Sequence, residues 1–238
     1  MSGRYVRRAL AKFVNTLFAP GLCLACGCEL SGTGALCECC SQRLALVPNP
    51  CRYCGQPNPV AGSVCPPCLL NPPRWQRLIA PLQYRGLTRD YLQQFKYSEA
   101  LHLVRPLAGR CFESFHRFES RPEVLLPVPL HRRRLLERGF NQAEEIAIQW
   151  SRESAIPLDR RALTRLQSTP SQAGLSAVQR EKNVRGVFSF DNRRGYHHVA
   201  IVDDIVTTGS TVGEITRVLH RGGVEFVEVW ALARAYRE

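Results

Sequence analysis

Lysine is nearly missing from this chain. Only Lys12, Lys96 and Lys182 occur among its 32 Lys and Arg residues, so the remaining 29 are Arg, against 20 Asp and Glu, and the net charge is +12. Arg grips phosphate with two parallel hydrogen bonds and stacks on bases, so the imbalance favours phosphate or nucleic-acid partners. An arginine-rich codon usage gives the same bias, and charge alone fixes no fold. Long apolar runs are missing as well: no segment nears the ~20 residues that span a bilayer. Residues 4–18 form one amphipathic stretch, with Tyr5, Val6, Leu10, Phe13, Val14 and Leu17 on a shared face. Lys12 interrupts any signal-peptide core there. A basic amphipathic helix can touch a membrane, but packing on its own protein is the preferred reading. A cytoplasmic location is therefore expected.

Cysteine is the opposite case. Ten of the eleven fall between positions 23 and 68. Cys23-x2-Cys26 and Cys37-x2-Cys40 are ten residues apart, and Cys51-x2-Cys54 and Cys65-x2-Cys68 repeat the spacing. A shift of 28 residues superimposes all four and also Gly27 on Gly55, while Cys28 and Cys39 fall on Gln56 and Pro67 and read as spare thiols. Two Cys-x2-Cys pairs complete a tetrahedral zinc site, and the metal supplies folding energy that so short a segment lacks. Two structural zinc ions are expected, paired sequentially or crosswise, with the tandem repeat favouring sequential pairing. Iron–sulfur ligation is the alternative; disulfides suit a reducing cytosol poorly. Cys111, in an apolar helical stretch, reads as core.

The chemistry-bearing segment lies near the C-terminus. Val199 to Val202 read as a buried parallel strand. Asp203 and Asp204 follow at its carboxyl end, then Thr207-Thr208-Gly209-Ser210-Thr211, then a helix with Val212, Ile215, Val218 and Leu219 on one face. A hydroxyl-rich loop at a helix N-terminus suits a phosphate. Two carboxylates beside it would repel that phosphate, and suit sugar hydroxyls or a carbohydrate-bound Mg²⁺. Phosphate and diol together describe a ribose 5-phosphate. The competing reading is a helix cap beside a solvated acidic pair.

A second unit precedes it. Val124 to Val128 read as a strand, followed by a basic loop containing Arg132, Arg133 and Arg134, and by a helix from Ala143 to Ser154. Three Arg at a strand end meet solvent or an anion, and this edge suits a pyrophosphate. Residues 164–190 read as a long polar segment, from which Arg165, Gln172, Arg180, Lys182, Asn183 and Arg185 could close over a diphosphate. Leu78 to Tyr84 read as a strand, and residues 88–97 and 99–118 as helices. The expected layout is an amphipathic helix over 1–20, a double zinc-ribbon domain over 21–71, a break at Asn71-Pro72-Pro73, and an α/β domain over 74–238. Arg43, Arg52, Tyr53, Arg74 and Trp75 interleave cations and aromatics around the cysteines, which suits single-stranded DNA.

The strand, the acidic pair and the Thr207–Thr211 loop resemble the type I phosphoribosyltransferases. That resemblance implies a mostly parallel sheet flanked by helices. It also implies that Thr207, Thr208, Gly209, Ser210 and Thr211 hold the 5-phosphate of phosphoribosyl pyrophosphate (PRPP). Asp203 and Asp204 would hold the ribose hydroxyls, with Mg²⁺ on the diphosphate and Arg132, Arg133, Arg134, Arg180 and Lys182 at its far end. Together with the cysteines, the segments PVPLHRRRLLERGFNQ (127–142), TPSQAGL (169–175) and VDDIVTTGST (202–211) resemble the ComF/GntX family. Membership implies a role in competence and in the uptake and use of extracellular DNA, with single-stranded DNA, PRPP or a related ribose phosphate, and DNA-uptake or helicase proteins as partners. The residues leave three readings open: a DNA-handling protein, an enzyme that transfers phosphoribosyl to a base or amine, and a PRPP- or nucleotide-sensing regulator.

Overall fold

The computed structural model describes residues 21–30, 35–60, 63–97, 101–112, 114–115, 121–167 and 177–236. The expected N-terminal helix and the TPSQAGL segment lie outside them. No helix among the described residues is long and apolar enough to cross a membrane. The chain forms two compact units, Met1–Arg43 and Leu44–Glu238. The first four-cysteine set belongs to the former; the second shares its unit with the sheet.

The two cysteine sets repeat in backbone detail. In the first, the amide of Cys23 donates to the Cys28 carbonyl and that of Gly27 to the Cys23 carbonyl. In the second, Cys51 and Gly55 make the same bonds to Gln56 and Cys51. Gly27 and Gly55 have φ of 72° and 65°, a left-handed turn that costs glycine no Cβ clash. Each third cysteine, Cys37 or Cys65, stands just before a five-residue helix: α1, Glu38–Gln42, where Cys37 Sγ accepts from the Cys40 amide, and α2, Pro66–Leu70, which has no such side-chain bond.

The second unit carries a parallel sheet. Its strands are β1 (Arg77–Ile79), β2 (Leu82–Gln83), β3 (Val124–Pro127), β6 (His198–Val206) and β7 (Phe226–Arg234), in the order β1-β7-β6-β3 with β2 also on β7. Arg77 pairs with Glu228 and Leu82 with Ala233, so β1 and β2 keep one register across Ala80-Pro81. They are a single edge strand interrupted where Pro81 cannot donate. The expected strand from Leu78 is thus present in two pieces, and the expected mostly parallel, helix-flanked sheet is there.

Both faces are covered, so the middles of the strands are mostly apolar. On one face Val199, Ile201, Val124, Leu126, Val227 and Val229 share a core with Val212, Ile215 and Leu219 of α8 (Ser210–Arg221). On the other, Phe115 stacks on Trp230 at 4.3 Å, and Trp150 of α6 (Gln142–Ser154) packs edge-on to both. Cys111 is buried in α4 (Val104–Phe112), as expected of a core thiol, and burial pushes its pKa up.

Two expectations need correction. The arginines after β3 are not in a loop: Arg132–Arg138 is a helix, α5. His131 accepts from the Arg133 amide at its start, and Gly139, at φ 78°, ends it. The described parts of 164–190, residues 164–167 and 177–190, also carry regular elements that their polarity did not suggest. β4 (Leu163–Arg165) and β5 (Phe188–Phe190) form an antiparallel pair, with α7 (Ala177–Val184) between them in sequence. Val184, Val187 and Phe188 join the core cluster, with α7 and β5 packing on α8.

Candidate functional site

Helix α6, which follows β3 and α5 in the chain, covers one face of the sheet, and α8, after β6, covers the other. The loops leaving these neighbouring strands therefore diverge and open a crevice at the strands' carboxyl ends, where α/β sheets place ligands. A cleft of about 450 Å³ lies there, lined by Val128 and Leu130 after β3 and by Asp203 to Val212, from the end of β6 into α8. The whole Thr207–Thr211 loop and both carboxylates border it, as does Arg134.

Asp203 and Asp204 are the last polar residues of β6 itself, which runs on to Val206 rather than stopping at Val202. Pairing with β7 up to Arg234 extends it. Asp203 Oδ1 accepts from the Asp204 amide at 2.9 Å, and Asp204 Oδ1 from the Ile205 amide at 2.8 Å. These bonds fix the carboxylates against the strand end. The loop is tied differently. Thr208 and Ser210 hydroxyls meet at 2.8 Å, and Gly209, at φ 81°, starts α8 without a capping side chain. The positive end of the helix dipole is thus presented beside the hydroxyls.

The far wall is basic. Arg134 and Arg138 of α5 and Arg165 of β4 line the same cleft. Burial, and then the charge of Arg134, lower the pKa of Arg165. An anion between the two guanidinium groups would relieve that repulsion. Gln142, at the start of α6, adds an unmet donor: its Nε2 is buried without a hydrogen-bond partner, while its Oε1 accepts from Arg138 at 3.2 Å. A buried amide N–H₂ without a partner costs free energy that a ligand oxygen would recover.

Other expected residues are not brought here. Arg132 is exposed, and Arg133 pairs with Glu137 in solvent at 3.0 Å. The helical turn points successive side chains apart, so only Arg134 of the three lines the cleft. Lys182 is exposed on α7 and is absent from the described lining; for Arg180, also on α7, the backbone alone is described. Tyr84, Arg138 and Gln142 were not assigned from sequence, because each reaches the cleft from a separate element. Only the adjacency of Arg138 and Gln142 to the basic segment hinted at them.

Each four-cysteine set could hold a tetrahedral ion. Within each, the four Sγ atoms lie within 4.8 Å of one another. Cys26 and Cys37 Sγ are 3.8 Å apart, and Cys54 and Cys65 Sγ 3.6 Å. Zinc–sulfur bonds of about 2.3 Å in a tetrahedron put sulfurs roughly 3.8 Å apart. Sulfurs this close suit one ion and leave no space for an iron–sulfur core. Backbone amides of Cys37 and Cys65 donate to Cys23 and Cys51 Sγ. Burial would raise the Cys23 and Cys51 thiols, but these amides and their neighbours outweigh it, giving pKa values of about 6 and about 7. Cys54 is pushed up instead, to about 11, by burial and by nearby sulfur. Without a cation, four thiolates so close cannot all ionise.

One surface expectation fails. Trp75 is not available to stack on a base: it is buried, its Nε1 donates to the Tyr53 carbonyl at 2.6 Å, and its ring packs on Gly209. Arg43, Arg52 and Arg74 are exposed, and Arg52 lies over the Tyr53 ring at 5.5 Å.

Known proteins resemble this chain over nearly its whole length. The DNA utilization protein YhgH of Shigella flexneri is 35% identical over 224 residues, which are 92% of this chain and 99% of that protein. Competence protein F of Haemophilus influenzae is 34% identical, over 90% of this chain and 96% of its own. Competence protein ComFC of Bacillus subtilis is 25% identical over 78% of each. No family model matches. A solved glutamine PRPP amidotransferase from B. subtilis overlaps 56% of this chain at 22% identity with a TM-score of 0.33, too low to carry an argument. On the strength of the first two relatives, the chain belongs to the competence protein F/YhgH (ComF/GntX) family of DNA-utilization proteins.

Proposed function

We propose that this protein binds PRPP, or a closely related ribose phosphate, in the cleft at the ends of β3 and β6, and serves the handling of single-stranded DNA. The observation that carries the reading is the convergence in one cleft of three chemistries. The Thr207–Thr211 loop at a helix N-terminus suits a phosphate. Asp203 and Asp204 suit ribose hydroxyls. Arg134, Arg138 and Arg165 suit a diphosphate, with Gln142 Nε2 as a further donor. Mg²⁺, arriving with the diphosphate, would supply charge neutralisation there. Zinc at both cysteine sets would be structural, since four-cysteine sites leave no open position.

The names of the relatives support the DNA side of the reading, as does the +12 charge carried by Arg. The exposed Arg43, Arg52 and Arg74 offer contacts to a phosphodiester backbone. The three cleft arginines also favour a second reading, phosphoribosyl transfer. Stabilising a departing pyrophosphate takes preorganised cations, and this chain holds them opposite the ribose site. Equilibrium binding of PRPP with Mg²⁺ and of labelled single-stranded DNA, on one zinc-loaded preparation, tests the first reading. Binding of both supports it, and binding of neither overturns it. Pyrophosphate release on adding bases one at a time separates the enzyme from the binder.

A further inference from the structure

The second cysteine set and the phosphate-type loop are joined by two buried side chains, all four parts lying in the unit Leu44–Glu238. The first is Arg234, at the end of β7 and 5% exposed. Its Nε donates to the carbonyl of Cys54 at 2.6 Å. Its Nη1 donates to the carbonyl of Val206 at 2.8 Å, and also to those of Thr207 and Ala235. One guanidinium thus spans a metal-ligand residue and the first residue of the loop. The second is Trp75. Its Nε1 bonds the carbonyl of Tyr53, inside the Cys51–Cys54 turn, and its ring lies against Gly209 and Gly213. Gly55 completes the fit: a Cβ there would come within 2.5 Å of Leu78 and 3.6 Å of Arg234.

Charge gives the bridge a reason. A zinc ion with four thiolates carries a net charge of −2, which a buried guanidinium beside it partly offsets. Without the metal, the Cys51–Cys54 turn lacks the ion that orders it, and both bridging side chains lose a fixed anchor.

We propose that the second cysteine site positions the Thr207–Thr211 loop through Arg234 and Trp75, so that metal occupancy there sets the loop's order and its affinity for phosphate. The affinity half of the proposal rests on the phosphate reading of the cleft; the ordering half does not. Coupling between two sites is reciprocal, so a phosphate ligand must tighten metal binding by the factor by which metal tightens the ligand.

The test compares the zinc-loaded full chain with Cys54→Ser, and with Trp75→Phe, which deletes the Tyr53 bond and the Cζ2, Cζ3 and Cη2 atoms that lie against Gly209 and Gly213. Two readouts are taken: amide hydrogen exchange over residues 205–213, and the affinity for ribose 5-phosphate. Exchange over 205–213 should rise in both variants while exchange in β3 stays unchanged, and ribose 5-phosphate affinity should fall about five- to tenfold in Trp75→Phe, the scale of one lost hydrogen bond. Unchanged loop exchange in both variants overturns the proposal, as does equal loosening of β3, which marks general destabilisation. If the wild type fails to bind ribose 5-phosphate but loop exchange still follows the metal, the phosphate reading fails and the positioning role stands.

Discussion

Gly209 and Trp75 touch so closely that a Cβ at position 209 would lie 2.9 Å from the indole Cη2. Gly209 also sits at φ 81°, where an L side chain is strained. Both facts oppose any side chain at the start of α8. Gly209→Ala is expected to cost more than about 1 kcal/mol of stability. It should also weaken ribose phosphate binding, because the added Cβ must displace either the loop or the indole packed against it. Thermal unfolding together with a ribose 5-phosphate titration checks both effects.

The metal content of the purified chain is the next expectation. Two sulfur tetrads with the spacing of a zinc tetrahedron predict two zinc ions per chain by elemental analysis after metal-replete expression. Cys54→Ser should reduce the count to one, since three thiolates hold the ion far less tightly at neutral pH.

Gln142 separates binding from folding. Its Nε2 is a buried donor without a partner, while its Oε1 accepts from Arg138; Gln142→Met removes both the unmet donor and that bond, so the melting temperature should change little. Binding of PRPP should nevertheless weaken about fivefold, the scale of one hydrogen bond. A paired calorimetric titration and thermal melt reads both effects.

Asp159 ties stability to pH. Burial would raise its pKa, but the amides of Arg161 and Ala162, the Tyr196 hydroxyl and Arg194 outweigh that and hold it below the ordinary value. A carboxylate depressed in the fold adds stability above its unfolded pKa, near 4, and that stability is lost as pH falls through the lower folded value. Asp159→Asn should therefore cost about 1.5–3 kcal/mol near pH 7. The gap to the wild type should begin to narrow below pH ~4 and close only as pH passes the lower folded value, where the native carboxylate protonates too. Denaturant midpoints measured from pH 3 to 7 follow it.

What the sequence made legible is local. The cysteine tetrads could be read because a metal needs fixed ligand spacing, and the 28-residue repeat survives down to individual hydrogen bonds. The β6–loop–α8 unit could be read because one continuous segment carries strand, carboxylates, loop and apolar helix face. Helix α5 was hidden: its charges read as loop, while its cues were the small ones of His131 at the start, Gly139 at the end and the Arg133–Glu137 pair between. Arg234 and Trp75 were hidden more deeply. Arg234 lies 180 residues from Cys54, and only the fold gives it a partner there. The same holds for Trp75, whose interleaving with arginines suggested a surface role that its contact with Gly209 rules out.

The most direct test of the central claim is a calorimetric titration of PRPP with Mg²⁺ into the zinc-loaded chain, repeated with Asp204→Asn. Asp204 is 8% exposed at the end of β6 and lines the cleft with the Thr207–Thr211 loop. A hydrogen bond to a charged carboxylate contributes about 1.5–3 kcal/mol, so the variant should bind roughly 10- to 100-fold more weakly at one site per chain. No binding by the wild type, or equal binding by the variant, would contradict the assignment of this cleft to a ribose phosphate.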